Sequence, residues 1–341
     1  MRGYTFVDYA TQSYVVLVGI LILLFHGSTV AGWQWLISAH LALPGLIHWL
    51  IRWHARGRAG TGLGFLRHFY PVLLYAGFFA ETGHLNQMFV QGYLDPVVID
   101  WDQRLFGFQP SLAFMEKLPL LFVSEIFYAA YFSYYVMIGG VGLTLYLRDR
   151  RQFFHYVSVV SFVFYICYLL YIFLPIIGPL VFFRAIPGYH LPANLESLAA
   201  AAHYPAAVKS GVFYQIMKWV YDVFEAPGAA IPSSHVAIAL CTVYFSFRYI
   251  RAIRWFHLCV AVLLCLATVY CRYHYVSDVL AGVATAFLLI PIANWLYFKL
   301  NDGRASLEAG ENSAGAESQT TPAKSKDPRT NSSQSSVEPR L

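Results

Sequence analysis

Long apolar runs recur along this chain, and they decide what it can fold into. One of them, YVVLVGILILLF from Tyr14 to Phe25, carries no charge at all. A helix needs ~20 apolar residues to cross the hydrocarbon layer, and only helices or closed barrels satisfy their backbone polar groups there. Eight segments approach that length, at about 13–31, 34–53, 68–90, 120–146, 153–175, 231–248, 254–271 and 275–298. A membrane β-barrel would instead show alternating segments of ~10 residues. The composition agrees: 58% of residues are hydrophobic and 12% charged, against ~25% charged in a soluble domain. The expected fold class is all-α, a polytopic membrane helical bundle of about eight transmembrane helices. Three regions are expected: a transmembrane hairpin over 1–67, a membrane domain over 68–299 and a tail over 300–341. The tail is rich in Ser, Ala, Glu, Asn and Pro, buries too little to order itself, and reads as disordered. Arg2 is the only basic residue ahead of the first run and no small-x-small cleavage site follows, so that run reads as an uncleaved span.

The arginines orient the spans. Arg52, Arg56, Arg58 and Arg67 follow the second span. Arg148, Arg150 and Arg151 follow the fourth, and Arg248, Arg251 and Arg254 the sixth. Lys299 and Arg304 follow the eighth. Short basic connections stay cytoplasmic, so both termini are predicted inside, with a bacterial inner membrane as the expected location. The long connections, 91–119 and 176–230, fall on the other side. The first should hold a short interfacial helix. Residues 206–224 of the second read as an amphipathic helix with Lys209 and Lys218 on its polar face. A net charge of +5, spread between apolar runs, argues against nucleic acid as a partner. The five cysteines show no metal-type pairing, and the abundant Tyr and Phe read as lipid-facing surface and interfacial belt.

Two stretches carry chemistry. In AAIPSSHVAIALC, Ala229 to Cys241, a histidine enters an apolar span just after two hydroxyls. In YCRYHYVSDVLAG, Tyr270 to Gly282, His274 and Asp278 stand four apart at the start of the last span. Positions i and i+4 share a helix face, so the aspartate can hold one imidazole nitrogen and leave the other as a lone-pair donor. The 39 residues between His235 and His274 cover one crossing inward and one outward, which returns both to the extracytoplasmic face. Ser233 and Ser234 precede a helix N-terminus, a natural anion site, and Arg272 adds a fixed positive charge. No acidic cluster of a magnesium type accompanies them. The set fits metal-free phosphoryl transfer through a phosphohistidine, one histidine attacking phosphorus and the other moving the proton. It places the two imidazoles across a phosphorus-sized gap.

These residues resemble the type 2 phosphatidic acid phosphatase superfamily, whose second motif is Pro-Ser-Gly-His. Its third motif is Ser-Arg, five residues, His, three residues, Asp. Pro232-Ser233-Ser234-His235 matches the second with Ser234 in place of glycine, and His274, Tyr275, Asp278 and Gly282 match the third. Ala267 and Thr268 replace the Ser-Arg pair, with Arg272 supplying the nearby charge. The first motif is absent; LPIIGPLVFFR, Leu174 to Arg184, stands there. That pattern resembles the inositol phosphorylceramide synthase branch, whose members move a phospho-headgroup between lipids. The resemblance covers roughly 68–299 and implies a six-helix catalytic core within it. It also implies His274 as nucleophile, Asp278 as its partner and His235 as general acid. Ser233, Ser234, Arg272 and Arg184 are expected to bind phosphate. No metal or cofactor is expected. The expected partners are a phospholipid donor and a lipid or polyol acceptor.

Hydrolysis of phosphatidic acid or a prenyl (pyro)phosphate is the alternative chemistry. A proton-coupled transporter is the rival of another class. It would place ionisable groups near mid-bilayer in matching halves, whereas here they gather at one face. Glu81, His84, Asn86 and Glu125 read either as headgroup contacts or as solvated interfacial residues. Asp100 and Asp102 are too few to make a metal site by themselves.

Overall fold

The computed structural model describes residues 3–57, 60–184, 190, 192, 195–224 and 228–319. The regular structure there is helical. The order is α1 (Phe6–Phe25), α2 (Trp33–Ala55), α3 (Thr61–Leu85), α4 (Asp95–Phe106), α5 (Pro110–Lys117), α6 (Leu121–Arg148), α7 (Arg150–Phe173), α8 (Pro179–Phe182), α9 (Glu196–Ala201), α10 (Ala206–Lys209), α11 (Val212–Phe224), α12 (Ser234–Tyr249), α13 (Arg254–Tyr270) and α14 (Val276–Gln319).

Each of the eight expected segments falls on a helix, and five of these helices are long and apolar enough to cross a membrane. They are α1, α2, α6, α7 and α14 over Val276–Leu300; α13 is apolar but shorter. The first long connection folds into α4 and α5, and residues 206–224 into α10 and α11. Contacts divide the chain into Met1–Phe298 and Lys299–Leu341. Because α1 packs directly on α7, the expected boundary at 67/68 marks no break in packing. In the second unit α14 runs on to Gln319, where composition predicts no regular structure; residues 320–341 of the expected tail lie outside the described residues.

Helix α7 is the centre of the bundle. It packs against α1, α3, α6 and α12, and its VSVVSFVFYICYLLYIF stretch is buried on nearly every side. The outer surface is carried by residues such as Leu24, Trp35, Leu41, Leu147 and Phe287, all largely exposed, as a lipid-facing wall requires. Many tyrosines take the opposite place from the expected belt. Tyr14, Tyr75, Tyr156, Tyr165, Tyr168 and Tyr171 are buried in the core. Several spend their hydroxyls between helices: Tyr156 donates to the Ile138 carbonyl at 2.9 Å, and Tyr165 meets Thr11 at 2.8 Å. In lipid, hydrophobic burial does not favour one helix neighbour over another, so interhelical hydrogen bonds help to specify the packing.

Arg67 also departs from its expected place in a basic connection. It lies inside α3, 3% exposed, with Nη2 donating to Asp8 Oδ2 of α1 at 2.6 Å. Tyr70 donates to the other oxygen at 2.6 Å. A buried charge is tolerable only when paired and hydrogen-bonded in this way.

Candidate active site

The site forms where α12 begins and α13 turns into α14. Ser233 caps α12, its Oγ accepting from Val236 N at 3.4 Å. Its own N–H donates to the Asp278 carbonyl at 3.1 Å, which ties the start of α12 to α14. Gly282 permits the approach, since a Cβ there would stand 2.6 Å from the Ser233 carbonyl oxygen. The α13–α14 turn is closed by the N–H groups of Tyr273 and His274, both donating to the Thr268 carbonyl at 3.0 Å. The turn sets His274 just ahead of α14, 3% exposed.

Within this frame His274 Nδ1 lies 3.3 Å from Asp278 Oδ2, and its Nε2 lies 3.5 Å from His235 Nδ1. On the far side, His235 Nε2 meets the Tyr131 hydroxyl at 3.0 Å, and that hydroxyl meets Tyr221 at 3.1 Å. One donor order satisfies the whole chain: Tyr221 to Tyr131, Tyr131 to His235 Nε2, His235 Nδ1–H to His274 Nε2, His274 Nδ1–H to Asp278. In that order the His274 Nε2 lone pair faces His235. Burial pushes the His274 imidazole down to about 4, so the ring is neutral at neutral pH. The two rings are in contact, with centroids 5.6 Å apart, and not across the gap expected between them. The Ser233–Asp278 bond and the Gly282 contact draw α12 and α14 together and bring the rings into contact.

Both histidines line a cleft of about 90 Å³ whose other walls include Phe79, Ile177, Val220, Tyr221 and Tyr273. No lysine or arginine stands among its described lining residues. Ser233 spends its hydroxyl on the cap. Ser234 is buried, with its N–H donating to the Tyr171 hydroxyl at 3.1 Å. Arg272 and Arg184 line a different cavity. The structure therefore brings together His274, Asp278 and His235, sets the two serines at the root of α12, and places both arginines elsewhere.

Of the remaining polar residues, Asp100 pairs with Arg104 at the surface and His84 is exposed. Glu81 approaches His40 at 3.5 Å. Glu125 caps α11, both oxygens 3.1 Å from Phe213 N. Among the described residues no group of three or more His, Cys, Asp or Glu is placed to hold a metal ion.

Three residues hold the site without having been singled out for it. Asp102, buried in α4, accepts from Val276 N and Ser277 N at 2.9 Å and from Ser277 Oγ at 2.6 Å, so a carboxylate from far along the chain caps α14. Asp95, two helical turns earlier on the same face of α4, accepts from Ile177 N at 3.0 Å, Gly178 N at 2.9 Å and Tyr275 Oη at 3.0 Å. Burial pushes its carboxyl up to about 7. Their spacing of seven residues, which sets both on one face of a helix, was the available signal. Tyr131, from α6, had none in sequence. Because its hydroxyl serves His235 Nε2 as donor or acceptor, Tyr131→Phe is expected to lower turnover about tenfold while the fold survives. Comparison of kcat and of thermal unfolding with wild type checks this; an unchanged kcat contradicts it.

Residues 97–292, more than half of the chain, match a family model described as PAP2 superfamily. Nothing matches among curated proteins or among solved structures.

Proposed function

The chain belongs to the PAP2 superfamily, and from that membership we propose that it is a metal-independent lipid phosphotransferase. It moves a phospho-headgroup of the inositol-phosphate type between lipids through a phosphohistidine. The observation that carries the reading is the line Asp278–His274–His235, with ring nitrogens at 3.3 and 3.5 Å. His274 Nε2 attacks phosphorus, and the bond from phosphorus to the lipid oxygen breaks. His235, as imidazolium, gives its Nδ1 proton to that leaving oxygen. An acceptor hydroxyl then surrenders its proton to His235 and attacks phosphorus, and the bond to His274 breaks. Asp278 stabilises the positive charge that His274 gains in the first step. Tyr131 accepts from Nε2–H while His235 is charged and donates to Nε2 when its lone pair is free.

Transfer, rather than hydrolysis, is favoured by the cleft wall. Phe79, Ile177, Val181 and Val220 disfavour water and suit a lipid alcohol. The reading places the site at the extracytoplasmic face of a bacterial inner membrane, in keeping with the arginines at the α6–α7 and α12–α13 junctions, at the other end of the bundle.

The test is incubation of the purified protein with a panel of phospholipids, with and without ceramide or diacylglycerol, and mass spectrometry of the products. A new headgroup-bearing lipid that requires the acceptor is expected. Release of free headgroup or phosphate alone would mean hydrolysis, and no product from any donor contradicts the enzyme reading. EDTA is expected to leave the rate unchanged, because the histidines carry the chemistry; loss of activity with rescue by a divalent ion contradicts that. With His274 held near 4, protonation removes its lone pair only as pH falls through that value. The acid limb of kcat/KM should therefore lie near pH 4–5, and a limb centred near 6.5 would contradict a buried nucleophile.

A further inference from the structure

We propose that a second cavity, separate from the histidine cleft, is an anion-binding subsite for a phosphate group, carried by a phospholipid or free in solution. This cavity, about 200 Å³, is lined by Arg184, Lys209 and Arg272 together with Phe183, His203 and Tyr204. It shares Leu180 with the histidine cleft and no other described lining residue.

Arg272 is the reason to read this cavity as built for a ligand. It is 1% exposed, and burying a guanidinium is costly unless its donors are used. Nη1 donates to the His203 carbonyl at 3.1 Å, and Nη2 makes only long contacts, to the Leu112 carbonyl at 3.3 Å and to Glu116 Oε1 at 3.4 Å. Nε finds no acceptor among the described residues. The Tyr204 ring lies 5.1 Å beneath the guanidinium carbon, which braces its plane. The backbone adds a separate cost. Arg272 sits at φ 64°, in the left-handed region, at a helix end where glycine is easier to accommodate. A strained, buried and under-satisfied arginine marks a functional position more often than a structural one. Arg184 and Lys209, both exposed, bring two further cations to the same cavity. Against these three charges stands, among the described residues, one carboxylate paired with Arg272, Glu116, itself 45% exposed.

A third, small cavity, lined by Tyr204, Tyr214, Lys218 and Asp222, borders both. It shares Tyr221 and Tyr273 with the histidine cleft, and Arg184 and Tyr204 with the cationic cavity. This assignment concerns binding and does not depend on the histidine chemistry.

The test is calorimetric titration of the full-length protein in neutral detergent, with inorganic phosphate in one arm and dihexanoyl phosphatidic acid in the other. An Arg184→Gln/Lys209→Gln double variant changes exposed residues and is expected to fold. It should weaken binding about tenfold or more, with a steep salt dependence in the wild type. The same loss should appear in a His274→Ala background, so failure of the proposed chemistry leaves this result untouched. Arg272→Gln, judged at unchanged thermal stability, should weaken binding further. Response to both probes assigns phosphate itself as the ligand; response to the lipid alone assigns a headgroup. Unchanged affinity in the double variant, or no binding of either probe to wild type, overturns the proposal.

Discussion

Replacing His274 by alanine is expected to lower turnover by about 10⁴-fold or more while leaving the bundle folded. The magnitude is that of removing a nucleophile from a covalent mechanism. The fold should survive because the lost contacts are weak. The two ring nitrogens sit at 3.3 and 3.5 Å from their partners, at the long edge of hydrogen bonding. Asp278 keeps the Tyr275 N–H at 3.0 Å. His235→Ala is expected to cost about 10²–10⁴-fold, as for a general acid–base group. Its effect should shrink for donors whose leaving oxygen needs no proton. Thermal unfolding in detergent, run beside the assay, separates lost chemistry from lost structure. Turnover within threefold of wild type in a folded His274→Ala protein would end the mechanism.

Asp102→Ala is the second large effect, and it acts through the frame. The carboxylate satisfies three donors at the start of α14, is fully buried, and touches neither imidazole. Each buried donor left without an acceptor costs ~1–3 kcal/mol, so the variant should lose on the order of 3 kcal/mol or more, a fall of several degrees in Tm. Turnover should drop with it, because the same first turn of α14 follows His274 and carries Asp278. Asp102→Asn retains one acceptor oxygen and should recover part of both losses. A structural role alone would move Tm without kcat. Here kcat is expected to fall more than KM rises, since the position of the nucleophile changes and the cleft wall does not. Equal Tm and kcat to wild type in Asp102→Ala would contradict the cap.

The residues that gather at the candidate site were legible in sequence because their signals are local. His274 and Asp278 are one helical turn apart, and the 39 residues from His235 to His274 hold two helices, α12 and α13, that run out and back. The apolar runs that become α1, α2, α6, α7 and α14 were legible for the same reason. What sequence could not show depends on chain segments meeting. Tyr131 reaches His235 from 104 residues away, and Asp95 reaches Tyr275 from 180. Arg272 is two residues from His274 yet lines another cavity, because the turn at φ 64° separates neighbours in sequence. In sequence the tyrosines read as lipid belt because an aromatic with a hydroxyl fits either place. Only a partner such as Thr11 or the Ile138 carbonyl decides between them. Arg67 was counted with a loop because its partner, Asp8, lies on a different helix.

The central claim is that His274 carries the transferred group. Its most direct test is peptide mass spectrometry of the wild-type protein mixed with a phospholipid donor, without acceptor, and quenched in alkali, where phosphohistidine persists. The account predicts the added mass of a phospho-headgroup on the peptide containing His274. The same mass found on any other residue would contradict it.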